Sequence, residues 1–182
     1  MKGKENLPSG SMLFEDSKKY DYSDSFSVSL QRQDVESWEL VAAFFLSAPK
    51  WVDNLFVLRN KLVSAIGLKA EMADITQLNP PYKKGQQLGV FRILEMTDNE
   101  IVLGENDKHL DFRTSLFIER SLDDRLVVST VVKVNNFFGK AYFFVVKRVH
   151  RIIVPIMVKR MVKNIDGKLL PQYADKTNKV RW

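Results

Sequence analysis

Residues 136–163 constrain the fold more than any other stretch of the chain. On a helical wheel at ~100° per residue, Lys140, Lys147 and Arg151 fall on one line. The apolar residues cover the opposite side of the wheel, in an arc wider than the stripe of an ordinary surface helix. They are Phe138, Tyr142, Val145, Val146, Val149, Ile152, Ile153, Ile156 and Met157. The pattern predicts one long helix with a sheet or other helices around much of it.

Local signals refine this helix. Asn136 suits its N-cap, Gly139 would permit close packing on a sheet, and Pro155 predicts a kink. A bilayer span is excluded because Arg148 and Arg151 lie in the most hydrophobic window. Each would cost ~2.5–3.5 kcal/mol near the bilayer centre. A basic amphipathic helix on a membrane surface stays open, although the wide arc favours a buried helix.

The bulk composition is that of a single globular domain. The chain has 182 residues, 45% hydrophobic and 27% charged. It has no cysteine, which excludes disulfides and thiol chemistry and fits a reducing, cytoplasmic compartment, and no secretory signal opens it. The net charge is +6, but 22 acidic residues are interspersed with 28 basic ones and no nucleic-acid-binding motif occurs. We therefore expect no nucleic acid as partner.

The rest of the chain predicts an α+β fold. Strands are expected at 22–30, 87–96, 100–104, 109–119 and 125–135, with helices at 35–46 (N-cap Asp34) and 49–66. The last four strands are joined by short turns, so they must be antiparallel. A weak further strand is possible at 68–75. We expect a flexible arm at 1–20, one domain at 21–164 and an extended tail at 165–182.

Three motifs carry a family resemblance. They are the 18 residues L-S-A-P-K-W-V-D-N-L-F-V-L-R-N-K-L-V at 46–63, H-L-D-F-R at 109–113, and V-N-N-F-F-G-K-A-Y at 134–142 with His150 downstream. The chain resembles an uncharacterised bacterial family that occurs alone and behind epimerase-like domains. That family is similar to the START-like, polyketide-cyclase and Bet-v-1-like (SRPBCC) superfamily. The resemblance covers residues 26–163 and implies a helix-grip fold, in which a curved antiparallel sheet encloses a long C-terminal helix and leaves a cavity.

Candidate site residues fall into two groups. His150, Tyr142 and Met157 lie on the last helix, where His150 could anchor a ligand or carry a proton. Alternatively, His150 is a structural histidine bonded to a backbone carbonyl.

The second group is His109, Asp111 and Arg113, which share one face of a strand. Arg113 could grip a carboxylate there, or the three could form a solvated outer face.

Motifs for known chemistry are absent from the sequence. It contains no H-E-x-x-H, G-x-S-x-G, P-loop or dinucleotide fingerprint, so we expect no metal and no cofactor. The first hypothesis is a module that binds a small apolar or amphipathic molecule in the cavity. A cyclase- or dehydratase-like enzyme using His150, Tyr142, Asp111 or Arg113 is the alternative. A non-catalytic interaction domain using the basic line of Lys140, Lys147 and Arg151 is the third.

Overall fold

The computed structural model describes residues 2–49 and 80–167. In this part of the chain, a curved, open antiparallel sheet packs against a long C-terminal helix, which is an α+β architecture compatible with a helix grip. The strands are β1 (Lys2–Glu5), β2 (Tyr22–Ser29), β3 (Gln87–Leu88), β4 (Phe91–Met96), β5 (Glu100–Asn106), β6 (Leu110–Glu119) and β7 (Arg125–Val134). The helices are α1 (Leu13–Asp16), extended by a 3-10 turn (Ser17–Lys19), α2 (Ser37–Ser47) and α3 (Phe137–Asp166).

The sheet has the order β1-β2-β7-β6-β5-β4-β3, and each neighbouring pair is antiparallel. The first long strand therefore pairs with the last, and β7 has a partner on both edges. A run of apolar residues on both faces of β7 is typical of such an interior strand. The run predicted at 87–96 is two strands, because the chain turns at Gly89, whose φ is 62°.

The main core lies on one face of the sheet, which we call the inner face. Ile93, Leu103, Leu116 and Val128 point from the strands into this core. The second half of α3 and the whole of α2 cover it, with Met161 fully buried among them. The prediction that the long helix packs on an antiparallel sheet is confirmed. The helix predicted at 49–66 and the possible strand at 68–75 lie outside the described residues.

The start of α3 is fixed by contacts that the sequence predicted. Asn136 is the N-cap, and its Oδ1 accepts a hydrogen bond from the backbone N of Gly139 at 3.0 Å. A Cβ built on Gly139 would lie 2.0 Å from the carbonyl oxygen of His109, so this turn of the helix can approach the β5–β6 hairpin only with glycine.

Helix α2 begins differently from the prediction. Its N-cap is Glu36, whose backbone N donates to Glu39, while Asp34 pairs with Arg32.

The N-terminal segment, expected to be a loose arm, lies on the opposite, outer face of the sheet. Residues 2–5 pair with β2, and Leu13 is buried against Val102 and Val131. Composition alone indicated a loose arm because polar residues dominate the segment. The contacts that place it on the sheet come from strands far along the chain.

Candidate functional site

A row of polar side chains crosses the inner face at the level where the first half of α3 passes over the sheet. Asp24, Thr130 and Thr114 are consecutive cross-strand partners on β2, β7 and β6. All three are buried, with Asp24 at 1% exposure. A buried carboxylate costs free energy unless hydrogen bonds satisfy it, so the hydrogen-bond partners of Asp24 show how its charge is stabilised.

Asp24 is held by two side chains, one from its own strand and one from α3. His150 Nε2 donates to Asp24 Oδ1 at 3.3 Å, and the hydroxyl of Tyr22 donates to Oδ2. His150 keeps 19% of its side-chain exposure, whereas Asp24 is sealed from solvent. The carboxylate therefore fixes the orientation of an imidazole that solvent can still reach.

Tyr22 links this pair to the basic side of α3. Burial, reinforced by the bond to Asp24, raises the pKa of Tyr22 to about 12, although Arg151 acts in the opposite direction. The ammonium of Lys147 lies 4.6 Å from the centre of the Tyr22 ring, and the ring of Phe143 packs edge-on at 5.2 Å. Part of the basic line of Lys140, Lys147 and Arg151 thus borders the polar row.

Aromatic rings occupy the part of the inner face beside this row. Phe91 and Phe112 meet edge to face at 5.5 Å, and Phe91 also contacts Phe44 and Phe45 of α2 at 5.3 and 5.9 Å. Phe112 lies two residues from Thr114 on the same face of β6, so the aromatic cluster adjoins the polar row. The arrangement places an apolar surface next to a small set of polar groups, as in many small-molecule sites.

One member of the polar row has an unused hydrogen-bonding group. Among the described residues, the hydroxyl oxygen of Thr130 is the buried side-chain polar atom that lacks a hydrogen-bond partner. Thr130 is 5% exposed and sits directly between Asp24 and Thr114. An unpaired buried hydroxyl costs about 1–3 kcal/mol, so a water or a ligand group is the expected partner.

The structure divides the residues singled out from the sequence. His150 faces the sheet and belongs to the polar row through Asp24. Tyr142 is half-buried on α3, and Met157 is 9% exposed in the core farther along this helix.

The strand residues lie elsewhere. Arg113 is on the outer face, where it donates to Asn106 Oδ1 and to the carbonyl of Phe112. Asp111 accepts from the backbone N of Asp107, and His109 Nδ1 donates to Asn136 Oδ1 at 2.9 Å. These bonds stabilise the β5–β6 turn and the start of α3. The geometry does not bring this group together with His150.

Sequence reasoning missed Asp24 and Tyr22. In the sequence they belong to an ordinary alternating strand, and only the helix that crosses them gives them a role.

Two surface clefts, of about 570 and about 300 Å³, open beside Trp38 and beside Leu13, both away from His150. In the described ranges no three His, Asp or Glu side chains are grouped so as to hold a metal ion.

Comparison with known proteins gives a family and no function. No curated protein and no solved structure matches the chain. A family model described as "Protein of unknown function (DUF2867)" matches residues 17–157, which span most of the chain, including β2 to β7 and the first two-thirds of α3. Both the polar row and His150 fall within the matched residues. The chain therefore belongs to the DUF2867 family of proteins of unknown function.

Proposed function

We propose that this protein binds a small amphipathic molecule between the inner face of the sheet and α3. The observation that carries the proposal is the unpaired hydroxyl of Thr130, buried in a polar row beside an aromatic cluster. A polar group of the ligand bonds Thr130, and its apolar part packs on Phe91 and Phe112. This arrangement suits an amphipathic ligand, because its polar part contacts a polar surface and its apolar part contacts an apolar one.

The fold supports the same proposal. We propose that the sheet and α3 form a helix grip of the START-like, SRPBCC kind, in which ligands lie between the helix and the sheet. The order of elements and the packing of α3 on the inner face support this assignment. Bacterial origin and a cytoplasmic location are parts of the same proposal, on the sequence resemblance and the cysteine-free composition.

The test uses two matched variants of neighbouring residues on β7. Thr130→Val removes the inner-face hydroxyl and keeps the side-chain shape. Ser129→Ala removes an outer-face hydroxyl that bonds Ser25 at 2.8 Å. Native mass spectrometry of protein purified under non-denaturing conditions should show a retained small molecule in the wild type and in Ser129→Ala. Thr130→Val should lose it, because one buried polar contact is removed.

Titration with 8-anilinonaphthalene-1-sulfonate, an amphipathic probe, gives a second readout. We expect Thr130→Val to weaken its binding about tenfold and Ser129→Ala to leave it unchanged. Absence of any retained molecule, together with equal probe affinity in both variants, would contradict ligand binding at this row.

The Asp24–His150 pair favours one second candidate, acid–base catalysis on the same ligand. A buried carboxylate that orients a solvent-accessible imidazole is a recurring arrangement for a general base. His150→Gln retains an N–H donor for Asp24 but cannot exchange a proton at neutral pH. If the protein is an enzyme, the variant should bind the retained molecule without converting it, and mass spectrometry should find conversion only with the wild type. Recovery of unchanged ligand from the wild type would exclude this candidate.

A further inference from the structure

The surface of α3 that points away from the sheet is apolar. Phe138, Val145 and Ile152 recur every seven residues, so they lie close to one line along the helix. They are 60%, 59% and 61% exposed, and Ile156 continues the line at 36%. We call these four residues the outward stripe. Aromatic residues beside it are exposed as well, with Phe137 at 78% and Phe144 at 63%.

This exposure differs from the sequence expectation that the wide apolar arc is covered. The sheet-facing seam of α3 instead runs through Phe143, His150, Val154 and Met157, which lie to one side of the arc. The outward stripe therefore has a surface that the described residues leave open to solvent. Contiguous exposed apolar surface of this kind marks an interaction site on most folded proteins.

The positive charge around the outward stripe indicates which kind of partner fits this surface. The basic residues of α3 are Lys140, Lys147, Arg148, Arg151, Lys159, Arg160 and Lys163, whereas Asp166 at its C-terminal end is its acidic residue. All of these basic residues except Lys147 are exposed, and the guanidinium of Arg148 lies over the ring of Phe144 at 3.9 Å. A second copy of the chain would bring two such basic helices together, so like charges disfavour self-association.

We propose that α3 docks the protein on an anionic membrane surface, with the outward stripe entering the boundary between headgroups and acyl chains. Exposed phenylalanine, valine and isoleucine side chains match this boundary, while the flanking lysines and arginines match anionic headgroups. A nucleic acid would satisfy the basic residues but offers no apolar surface to Val145 and Ile152. No helix in the described ranges is both long and apolar enough to cross a bilayer. The helix lies along the surface, and the sheet stays on its far side.

The experiment is co-sedimentation of the full chain with lipid vesicles at low and high salt. We expect partition into vesicles of phosphatidylcholine with phosphatidylglycerol, and about tenfold weaker partition into phosphatidylcholine alone. Arg148→Glu with Lys159→Glu should reduce partition into the anionic vesicles by about tenfold or more. The charge-matched control, Lys83→Glu with Lys133→Glu, changes two exposed lysines outside α3 and should bind like the wild type.

The apolar contribution is tested separately. Val145→Asn with Ile152→Asn should also reduce partition by about tenfold, because two buried aliphatic contacts are lost. Leu122→Asn, at a fully exposed leucine of the β6–β7 turn, should have no effect. Equal sedimentation of all variants, no sedimentation of the wild type, or capture of a DNA duplex in preference to vesicles would overturn the proposal. So would a dimer in light scattering that Val145→Asn with Ile152→Asn dissociates.

Discussion

The two faces of the sheet satisfy their buried polar groups to different extents. On the outer face, Glu100 is 2% exposed, and its carboxylate accepts from Ser11 Oγ at 2.6 Å, Ser115 Oγ at 2.5 Å and Met12 N at 2.8 Å. On the inner face, the carboxylate of Asp24 has hydrogen-bond partners, but the side-chain hydroxyl of its neighbour Thr130 has none among the described residues. Complete pairing on the outer face indicates a structural role. The unpaired hydroxyl on the inner face is the observation on which the proposal of a bound molecule rests.

The difference also concerns how residues of the N-terminal segment contact the outer face. Ser11 and Met12 supply two of the three hydrogen bonds to Glu100, so the carboxylate is fully paired only when the segment lies on the outer face. The carboxylate of Glu100 on β5 is thus hydrogen-bonded by a polar segment of the same chain. On the inner face the corresponding partner, in our proposal, is a separate molecule.

The largest effect should come from removing the outer-face carboxylate. Glu100→Ala leaves two buried hydroxyls and a backbone N–H without their acceptor, which should lower the free energy of unfolding by about 3 kcal/mol in urea titrations. Glu95→Ala is the control, because its ion pair with Lys84 is exposed and should contribute less than about 1 kcal/mol. Equal losses in the two variants would mean that Glu100 does not hold the segment.

A smaller loss is expected at the inner-face carboxylate. Asp24→Asn weakens the bonds from Tyr22 and His150 and should cost about 2 kcal/mol. A double-mutant cycle with His150→Gln should give a coupling energy above about 0.5 kcal/mol, since the two side chains share a hydrogen bond. Strict additivity of the two substitutions would show that the pair does not form in solution.

Adjacent hydroxyls on β7 should give effects of opposite sign. In ligand-free protein, Thr130→Val should raise the free energy of unfolding by about 1 kcal/mol, because an unsatisfied buried group is removed. Ser129→Ala should lower it by about 1 kcal/mol, because the bond to Ser25 is lost. A destabilised Thr130→Val variant would indicate a structural partner, such as a buried water, and would weaken the contrast between the faces.

The mildest effect concerns pH. Burial raises the pKa of both Tyr22 and Tyr82 to about 12, above the value of 10.0 in an unfolded chain. Above pH 10 the unfolded state loses these protons first, so folding stability should fall between about pH 10 and about pH 12 and be unaffected at neutral pH. Tyr82→Phe should flatten this slope in urea titrations across the same range, and an unchanged slope would refute the assignment.

Local signals were sufficient for some of these features. The N-cap Asn136 bonds Gly139 within one turn of the helix, and a glycine near a helix start is itself a signal of close packing, so the sequence predicted both features correctly. His150 stood out as a polar residue among apolar neighbours. Its partner Asp24 could not be found in this way, because 126 positions separate the two and only strand register and helix placement bring them together.

The remaining misses have the same physical cause. Periodicity measures the width of an apolar arc but does not say which part of the arc meets the sheet, so Val145 and Ile152 were expected to be covered. Likewise, the polar composition around Ser11 gave no sign of a carboxylate that binds it from β5. Packing between distant elements decided both outcomes.

The close approach at Gly139 has a consequence for how members of the family vary. Any Cβ at this position would lie 2.0 Å from a carbonyl oxygen, so no side chain fits there. In an alignment of family members, we expect this column to stay glycine even where the residues of the inner face diverge. A relative with a larger residue there should also carry a different hairpin length between β5 and β6.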